Sequence, residues 1–319
     1  MSGLEQRQLG NTGLTVSRLC FGTITMGPLQ ASLPLEEGAQ LLCSAIERGV
    51  NFCDTAQLYE SYPYIRRAME ISGKRDLVIS TKTFADTREL AQAALEEARR
   101  ELDRDYIDIF MLHEQESEHT LRGHRAALDY LLEQKQRGVI GAVGLSTHMV
   151  AGVKAAIDAQ LDVLHPLINL TGFGIIDGSL EDMQTAVKQA HDIGMGIFSM
   201  KALGGGNLFR QAEQCLNYAL SLPYVHSVAV GMQSESEVHA NIDFFEGKGF
   251  SPAAKANIMA KTRRLHIEDW CEGCGACVAK CGQNSLSMND QNKAVCDPAN
   301  CLLCGYCGAV CPVMSIKII

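Results

Sequence analysis

The chain has 319 residues, of which 46% are hydrophobic and 20% are charged, so it can bury a large core and does not have the composition of a disordered protein. Its formal net charge of −9 argues against nucleic-acid binding, which needs a concentrated basic surface. No run reaches the roughly 18 apolar residues of a membrane span, and the first residues, MSGLEQRQLG, contain no apolar signal core, so we expect a cytoplasmic protein. In that compartment, thirteen cysteines indicate metal or redox chemistry rather than disulfides.

The first three quarters of the chain alternate between apolar runs and amphipathic segments. A turn-rich hairpin with Gly10 and Gly13 comes first and is expected to plug the base of a barrel. Strands are predicted near residues 19–23, 51–55, 77–83, 106–112, 141–145, 163–169, 196–200 and 227–230. Helices are predicted near residues 35–49, 60–72, 87–102, 121–137, 150–159, 180–193, 210–220 and 234–245. Eight such units predict an α/β fold, specifically a (β/α)8 TIM barrel. An open dinucleotide-binding sheet is disfavoured, because its G-x-G-x-x-G fingerprint is missing after the first strand.

Four polar side chains come where three successive predicted strands end. Asp54 closes the second strand with Tyr59 just beyond it, Lys82 closes the third, and His113 closes the fourth. Because the carboxyl ends of barrel strands share one face, these four side chains can converge. Taken singly, each has a plainer interpretation: Asp54 and Lys82 as a structural ion pair, and His113 as a hydrogen-bonded histidine at a strand end.

The motif RQLGNTGLTVSRLCFGT, these four residues and their strand contexts resemble the aldo-keto reductases over about residues 7–245. The resemblance implies a catalytic tetrad of Asp54, Tyr59, Lys82 and His113. In this chemistry the Lys82 ammonium would lower the pKa of the Tyr59 phenol, Asp54 would hold Lys82, and His113 would orient a carbonyl oxygen. Tyr59 would then be the general acid or base in carbonyl reduction or alcohol oxidation by hydride transfer.

The resemblance also implies NAD(P)H bound across the later strand ends. Phe198 is expected to stack on the nicotinamide, and successive glycines after the seventh strand would let backbone N–H groups approach a pyrophosphate, although they could also form a plain flexible loop. The start of the helix after the eighth strand is a natural anion site. The expected nucleotide contacts are Gly22, Thr23, Ser146, Asn169, Phe198, Met200, Lys201, Gly204, Gly205, Gly206, Gly231, Gln233, Ser234, Glu237 and Asn241.

Some positions depart from the family pattern. Thr147, His165 and Phe198 stand where family members commonly have Asn, Gln and Tyr. The loop after the eighth strand has no Lys or Arg between Val230 and Lys248, and a 2′-phosphate needs such a cation. This predicts a weak preference for NADH over NADPH, although Lys201 or Arg210 could serve instead.

A predicted linker helix, residues 251–265, comes after a glycine-rich break. Ser251 is suited to cap it and Pro252 to occupy its first turn. At about 1.5 Å per residue it would span roughly 20 Å, about the height of a barrel. It is therefore expected to return the chain to the catalytic face and to place the C-terminal segment at the substrate mouth.

The last segment contains a cysteine pattern twice. C-x2-C-x2-C-x3-C occurs in CEGCGACVAKC and again in CLLCGYCGAVC. This is the internal repeat of a bacterial two-cluster ferredoxin, and the resemblance covers about residues 267–319. It implies two 4Fe–4S clusters, one held by Cys271, Cys274, Cys277 and Cys311 and the other by Cys301, Cys304, Cys307 and Cys281. Zinc would need only four cysteines, and disulfides lack a secretory context. Cys20, Cys43, Cys53, Cys215 and Cys296 are interpreted as structural.

The predicted domains are therefore a barrel over residues 1–248, a linker helix over 249–265, and a small α+β ferredoxin-like iron–sulfur domain over 266–319. The sequence supports two functional hypotheses. The first is an NAD(P)H-dependent reductase of a small-molecule carbonyl or alcohol whose iron–sulfur domain is structural or completes the pocket. The second is an electron-transfer protein that exchanges electrons with a flavoprotein or another redox partner. A third, weaker hypothesis is a binding module with a degenerate barrel, which the intact Tyr59 and Lys82 argue against.

Overall fold

A computed structural model describes residues 3–319 of the chain. It begins with an antiparallel hairpin of β1 (Gln6–Gln8) and β2 (Thr15–Ser17). Leu9 and Val16 of this hairpin are fully buried among side chains of the barrel interior. Gly10 has a φ of +52°, and a Cβ there would lie 2.4 Å from the amide nitrogen of Gly196, so only glycine fits this contact. The predicted plug at the base of the barrel is thus confirmed.

Eight parallel strands form a closed barrel, as predicted. Its last strand pairs in parallel with its first, with Val230 opposite Phe21. The strands are β3 (Leu19–Gly22), β4 (Phe52–Asp54), β5 (Val78–Thr83), β6 (Ile107–Leu112), β7 (Ile140–Thr147), β8 (Val163–Pro166), β9 (Gly196–Ser199) and β10 (Ser227–Gly231). Closure leaves no free sheet edge and brings all eight strand ends to one face.

The barrel helices lie close to their predicted positions. They are α1 (Leu35–Glu47), α2 (Tyr62–Ser72), α3 (Arg88–Leu102), α4 (Glu118–Gly123), α5 (Arg125–Gln136), α6 (Val150–Asp158), α7 (Leu180–Asp192), α8 (Ala212–Ser221) and α9 (Glu235–Phe245). The single helix predicted over residues 121–137 is two helices. The first begins earlier because Ser117 and Thr120 form a capping box at its start, and the two meet at His124.

Each helix buries one stripe against the outer surface of the strands. In α3 the buried side chains are Ala91, Ala94, Leu95, Ala98 and Leu102, a spacing of three or four residues that keeps them on one face. Burying a leucine of this kind is worth about 1.5–3 kcal/mol. The barrel is held by this layer together with a smaller apolar cluster inside it.

The segment after the barrel is a short helix followed by a small α+β unit. The elements are α10 (Pro252–Ala260), β11 (Leu265–Ile267), α11 (Ala276–Lys280), β12 (Leu286–Met288), β13 (Ala294–Cys296), α12 (Tyr306–Ala309) and β14 (Ile316–Ile318). Ser251 caps α10 as predicted, its hydroxyl accepting a hydrogen bond from the amide of Ala254. The helix ends earlier than predicted, and the chain becomes extended by Leu265, where β11 pairs with β14.

This unit packs against the face of the barrel that carries the strand ends. The amide of Ile318 donates to the carbonyl of Gly205 at 3.1 Å, and the side-chain amide of Asn207 donates to the carbonyl of Ile316 at 3.2 Å. Arg210 donates to the carbonyl of Leu303 at 2.6 Å. The predicted position of the cysteine-rich segment at the mouth of the barrel is therefore confirmed. Within residues 3–319, no helix combines the length and the apolar character that crossing a membrane requires.

Candidate active site

The four candidate catalytic residues come together at one end of the barrel. Asp54 is the last residue of β4, and Tyr59 lies in the short 3-10 turn after it. Lys82 is in β5, and His113 comes directly after β6. These are neighbouring strands of the closed barrel, which is why the side chains meet. The convergence expected from the order of strand ends is present.

Asp54 and Lys82 form a buried ion pair. The Lys82 ammonium donates to both Asp54 carboxylate oxygens at 2.8 Å and to the carbonyl of Thr55 at 2.6 Å. Burial alone would raise the pKa of Asp54, but Lys82 and then His165, whose Nε2 is 3.6 Å from Asp54 Oδ2, hold that pKa well below its usual range. The carboxylate therefore stays charged, and all three ammonium hydrogens are engaged.

Tyr59 lies beside this ion pair without a hydrogen bond to it. The Lys82 nitrogen is 5.1 Å from the centroid of the Tyr59 ring. Burial, followed by the charges of Asp54, Glu114 and Glu268, raises the pKa of Tyr59 well above its usual value. The predicted lowering of this pKa is not seen, because burial and the three acidic charges outweigh the ammonium, whose hydrogens point to Asp54 and Thr55. The phenol is therefore held in its protonated form.

His113 completes the group as a neutral ring. It stacks on Phe84 with ring centroids 4.3 Å apart and meets Tyr59 edge-on at 5.7 Å. Burial, and then the charge of Lys82, lowers the pKa of His113 to about 3. Its Nδ1 atom is buried and has no hydrogen-bond partner within residues 3–319. His113 also lines a cavity, so its ring can exchange a hydrogen bond with a bound molecule, and it carries no charge at neutral pH.

Asp54, Tyr59 and His113 line a cavity of about 740 Å³ with predominantly apolar walls. Ligand pockets commonly fall between about 300 and 1,000 Å³. The cavity runs from these residues past the end of β9 to α9, and the C-terminal unit supplies part of its wall through Trp270, Pro312 and Lys317. The cavity is therefore shared between barrel and C-terminal unit.

Nine of the fifteen predicted nucleotide contacts line this cavity. They are Gly22, Met200, Lys201, Gly205, Gly206, Gly231, Gln233, Glu237 and Asn241. The other six, Thr23, Ser146, Asn169, Phe198, Gly204 and Ser234, are outside its wall.

Several of these six have their side chains engaged elsewhere. Phe198 points into the barrel, packing on His165 at 3.9 Å and on Phe52 at 5.0 Å between ring centroids. It therefore offers no stacking surface, and Met200, two residues on, lines the cavity instead. The Ser146 hydroxyl accepts from the amide of Glu114, and Asn169 is hydrogen-bonded within its own loop, to Phe173 among others.

The glycine loop after β9 is partly covered by the C-terminal strand. Gly204, Gly205 and Gly206 all have positive φ. A Cβ at Gly206 would lie 1.9 Å from the carbonyl oxygen of Ile318. Gly206 is thus required for the close approach of β14 at this point, a role that the sequence did not suggest.

The cysteines of the two repeats are arranged around two places in the C-terminal unit. Cys271, Cys274, Cys277 and Cys311 line one small cavity. In the other set, Cys301, Cys307 and Cys281 lie near Cys296. Burial, and then these neighbouring thiols, raise the pKa of Cys296 to about 12.

The two repeats are also alike in detail. Each short helix begins after a glycine with positive φ, Gly275 or Gly305. The fourth cysteine of the first repeat lies 3.1 Å from the hydroxyl of Ser285, and that of the second lies 3.2 Å from Ser315. Within residues 3–319, no three His, Cys, Asp or Glu side chains are close enough to hold a single metal ion. A 4Fe–4S cluster instead takes four thiolates around the whole cluster.

Comparison with protein families agrees with this architecture. The model of the aldo/keto reductase family matches residues 18–214, and the model of the 4Fe-4S dicluster domain matches residues 270–315. The chain belongs to the aldo/keto reductase family. It carries a C-terminal 4Fe–4S domain, as the resemblance implied.

Individual relatives are distant. L-Galactose dehydrogenase of Arabidopsis thaliana is 24% identical over 288 residues, which cover 76% of this chain and 88% of the relative. A probable voltage-gated potassium channel subunit beta from the same plant is 26% identical over 221 residues, covering 63% of this chain and 65% of the relative. A putative aldo-keto reductase structure from Pseudomonas aeruginosa superposes with a TM-score of 0.65 at 25% identity, covering 78% of this chain and 98% of that one.

Sequence reasoning missed several cavity residues of this aldo/keto reductase. Lys261 and Arg263, just after α10, line the end of the cavity near α9. Lys261 donates to Gln233 at 2.7 Å and to Glu237 at 2.6 Å. Trp270 and Lys317 line the catalytic end. The predicted return of the chain to the catalytic face was the one signal that could have pointed to them, but it does not say which side chains reach the cavity.

Proposed function

We propose that this aldo/keto reductase is an NAD(P)H-dependent enzyme that reduces a small-molecule carbonyl compound or oxidises the corresponding alcohol. The observation that carries the proposal is the buried Asp54–Lys82 pair beside Tyr59 and His113 on the wall of one cavity. Family membership supports an oxidoreductase. The substrate, the nucleotide and the roles of the four residues are our proposals.

In the reducing direction the chain supplies the proton. When bound, NAD(P)H supplies a hydride to the carbonyl carbon. Tyr59, held protonated by its raised pKa, donates its hydroxyl hydrogen to the carbonyl oxygen, so that one C=O group, one hydride and one proton give one alcohol. The neutral His113, which lines the cavity beside Tyr59, orients the same oxygen through a hydrogen bond.

Lys82 and Asp54 stabilise the state that follows the proton transfer. Once Tyr59 has given up its proton, its phenolate is a buried anion, and the Lys82 ammonium is the cation next to its ring. Asp54 keeps that ammonium in place and charged. A proton from solvent then restores Tyr59.

The nucleotide would lie along the cavity from Met200 to Asn241. Gly205, Gly206 and Gly231 line this stretch, and Gln233, Glu237 and Asn241 border the adenosine end. Lys261 and Arg263 place two cations at that end. The loop after β10, the eighth barrel strand, has no cation for a 2′-phosphate, but Lys261 and Arg263 of the linker can supply one. We therefore do not propose a preference for NADH over NADPH.

We further propose two 4Fe–4S clusters, ligated crosswise. One takes Cys271, Cys274, Cys277 and Cys311, and the other takes Cys301, Cys304, Cys307 and Cys281. The small cavity lined by the first four supports this division. Such clusters supply one-electron chemistry when bound. The corresponding domains are residues 1–248, 249–265 and 266–319. Eight thiols that serve as cluster ligands fit a reducing, cytoplasmic setting.

The test is nucleotide oxidation by anaerobically purified protein with a panel of aldehydes and ketones. We expect NADH or NADPH to be consumed only with a carbonyl present, and Tyr59→Phe to lower kcat by about 10²-fold or more. Tyr106→Phe is the matched control, because Tyr106 directly precedes β6, away from the cavity wall. Equal activity of Tyr59→Phe and the control would refute the proposal.

One observation favours a second candidate, electron transfer between the clusters and a bound redox substrate or partner protein. Trp270, Glu272 and Pro312 line the catalytic cavity, and each is adjacent in sequence to Cys271 or Cys311. Bleaching of the cluster absorbance by a reduced flavoprotein, followed by recovery when a carbonyl is added, supports this candidate. Carbonyl reduction at an unchanged rate in protein stripped of iron argues against it.

A further inference from the structure

Two lysines line the catalytic cavity without a catalytic role in the proposed reaction. Lys201 follows β9, and Lys317 belongs to β14 of the C-terminal unit. The Lys201 nitrogen lies 2.7 Å from Nε2 of His148, and Lys317 donates to the carbonyl of Met314. Lys317 is only 4% exposed and lies 5.9 Å from the ring centroid of Trp270. The docking of β14 on the glycine loop brings both lysines to the wall of the same cavity.

Lys201 has one long ion pair with a carboxylate, and Lys317 has none among residues 3–319. Glu114 is 3.8 Å from Lys201, beyond hydrogen-bond distance, and within residues 3–319 no carboxylate lies within 4 Å of Lys317. Glu268, the other acid that acts on both lysines, contacts His266 at 3.1 Å instead. Each ammonium can donate three hydrogen bonds, and a buried ammonium without an anion is costly.

The charges around these lysines agree with a missing anion. Burial, and then the charge of Lys317, lowers the pKa of Lys201 to about 7. Burial also lowers the pKa of Lys317. An oxyanion between the two nitrogens would favour the charged form of both and use their free hydrogens.

We propose that Lys201 and Lys317 bind an acid group, a carboxylate or a phosphate, on the carbonyl substrate. The inference rests on the proposed function and names its substrate class: aldehydes or ketones that carry a second, anionic group. The position supports it, because Glu114, next to Lys201, directly follows His113 in the chain. Trp270 adds a flat apolar wall beside Lys317. The C-terminal unit would then complete the substrate site and select the substrate.

The kinetic test compares 4-carboxybenzaldehyde with benzaldehyde in the intact, cluster-loaded protein. Lys317→Met should raise KM for 4-carboxybenzaldehyde by tenfold or more, while KM for benzaldehyde and for the nucleotide stay within twofold. Lys154→Met is the control, because Lys154 is an exposed lysine of α6. If Lys317→Met instead raises KM for the nucleotide and leaves the ratio of the KM values for the two aldehydes unchanged, the lysines bind the nucleotide phosphates and the proposal is wrong.

A binding test separates this inference from the proposed function. Benzoate, phenyl phosphate and benzamide are titrated into the intact protein by calorimetry, without turnover. We expect one or both anions to bind, and benzamide to bind at least tenfold more weakly. Lys317→Met should remove this difference in affinity between the anions and benzamide, whereas Tyr59→Phe should keep it. Benzoate and phenyl phosphate report the carboxylate and phosphate sources separately. Failure of both anions to bind overturns the inference, while anion binding by a protein that reduces no carbonyl overturns only the proposed function.

Discussion

The Lys82 ammonium contacts both carboxylate oxygens of Asp54 at 2.8 Å, in a site where Lys82 is 1% exposed. The pair therefore has a structural effect as well as its proposed chemical one. A buried charge whose partner is removed is strongly unfavourable, whereas removal of both charges is much less so.

We expect Lys82→Met to lower the free energy of unfolding by about 3–5 kcal/mol, because it leaves the Asp54 carboxylate buried and unpaired. The double variant Lys82→Met/Asp54→Asn should recover most of that loss. Denaturant unfolding of the apo and loaded proteins measures both. Equal destabilisation by the single and double variants would mean that the charges do not stabilise each other.

The kcat for reduction of an uncharged aldehyde such as benzaldehyde, which does not use Lys201, should be nearly independent of pH between about 5 and 9. A raised pKa keeps Tyr59 protonated as the pH rises, so the loss of the proton donor moves to more alkaline pH. A pKa of about 3 keeps His113 neutral down to acidic pH. The measurement is kcat against pH at saturating substrate. A fall in kcat on acidification with a midpoint near about pH 6.5 would show that His113 titrates normally.

Crosswise ligation predicts which cysteine pairs share a cluster. Cys274→Ser and Cys311→Ser should each halve the iron content from about eight atoms per chain, and the double variant should lose no more. Cys274→Ser combined with Cys281→Ser should lose nearly all of it. Iron and sulfide analysis with electron paramagnetic resonance distinguishes these outcomes.

Cys296→Ala is the control for this series. It should keep its iron, because Cys296 lies outside the repeated spacing although it is surrounded by cluster cysteines. Loss of one cluster in Cys296→Ala would make that thiol a ligand and the proposed second set wrong.

Docking of the C-terminal strand should depend on Gly206. Its φ is +83°, and an added Cβ would lie 1.9 Å from the carbonyl oxygen of Ile318. Gly206→Ala should therefore displace β14, raise the hydrogen exchange of residues 316–318, and destabilise the chain by more than about 1 kcal/mol.

Gly123→Ala is the matched control, because nothing lies within 4 Å of a Cβ there and Gly123 is in a helix. It should leave exchange in β14 unchanged and stability equal or slightly higher. If Gly206→Ala also leaves β14 protected, the strand is held by contacts other than those with the glycine loop.

The sequence by itself determined the barrel, the order of its elements and the cysteine-rich unit. Hydrophobic periodicity is a local property, and it marked the eight strands and most helix bounds to within a few residues. The repeated C-x2-C-x2-C-x3-C spacing is local as well. Strand order alone was enough to bring Asp54, Lys82 and His113 to one face, because all parallel strands of a barrel end there.

The tertiary structure decided what depends on the direction of single side chains and on contacts between distant segments. Phe198 packs inside the barrel and Met200, two residues further along, lines the cavity, and the sequence did not show at which level of the strand the cavity begins. The engagement of the Lys82 ammonium by Asp54 and Thr55, rather than by the Tyr59 hydroxyl, depends on distances of a few ångströms. Lys317 reaches the catalytic cavity only because β14 packs on Gly205 and Gly206. The sequence pattern of neither segment predicts this contact, because the two segments are distant in the chain.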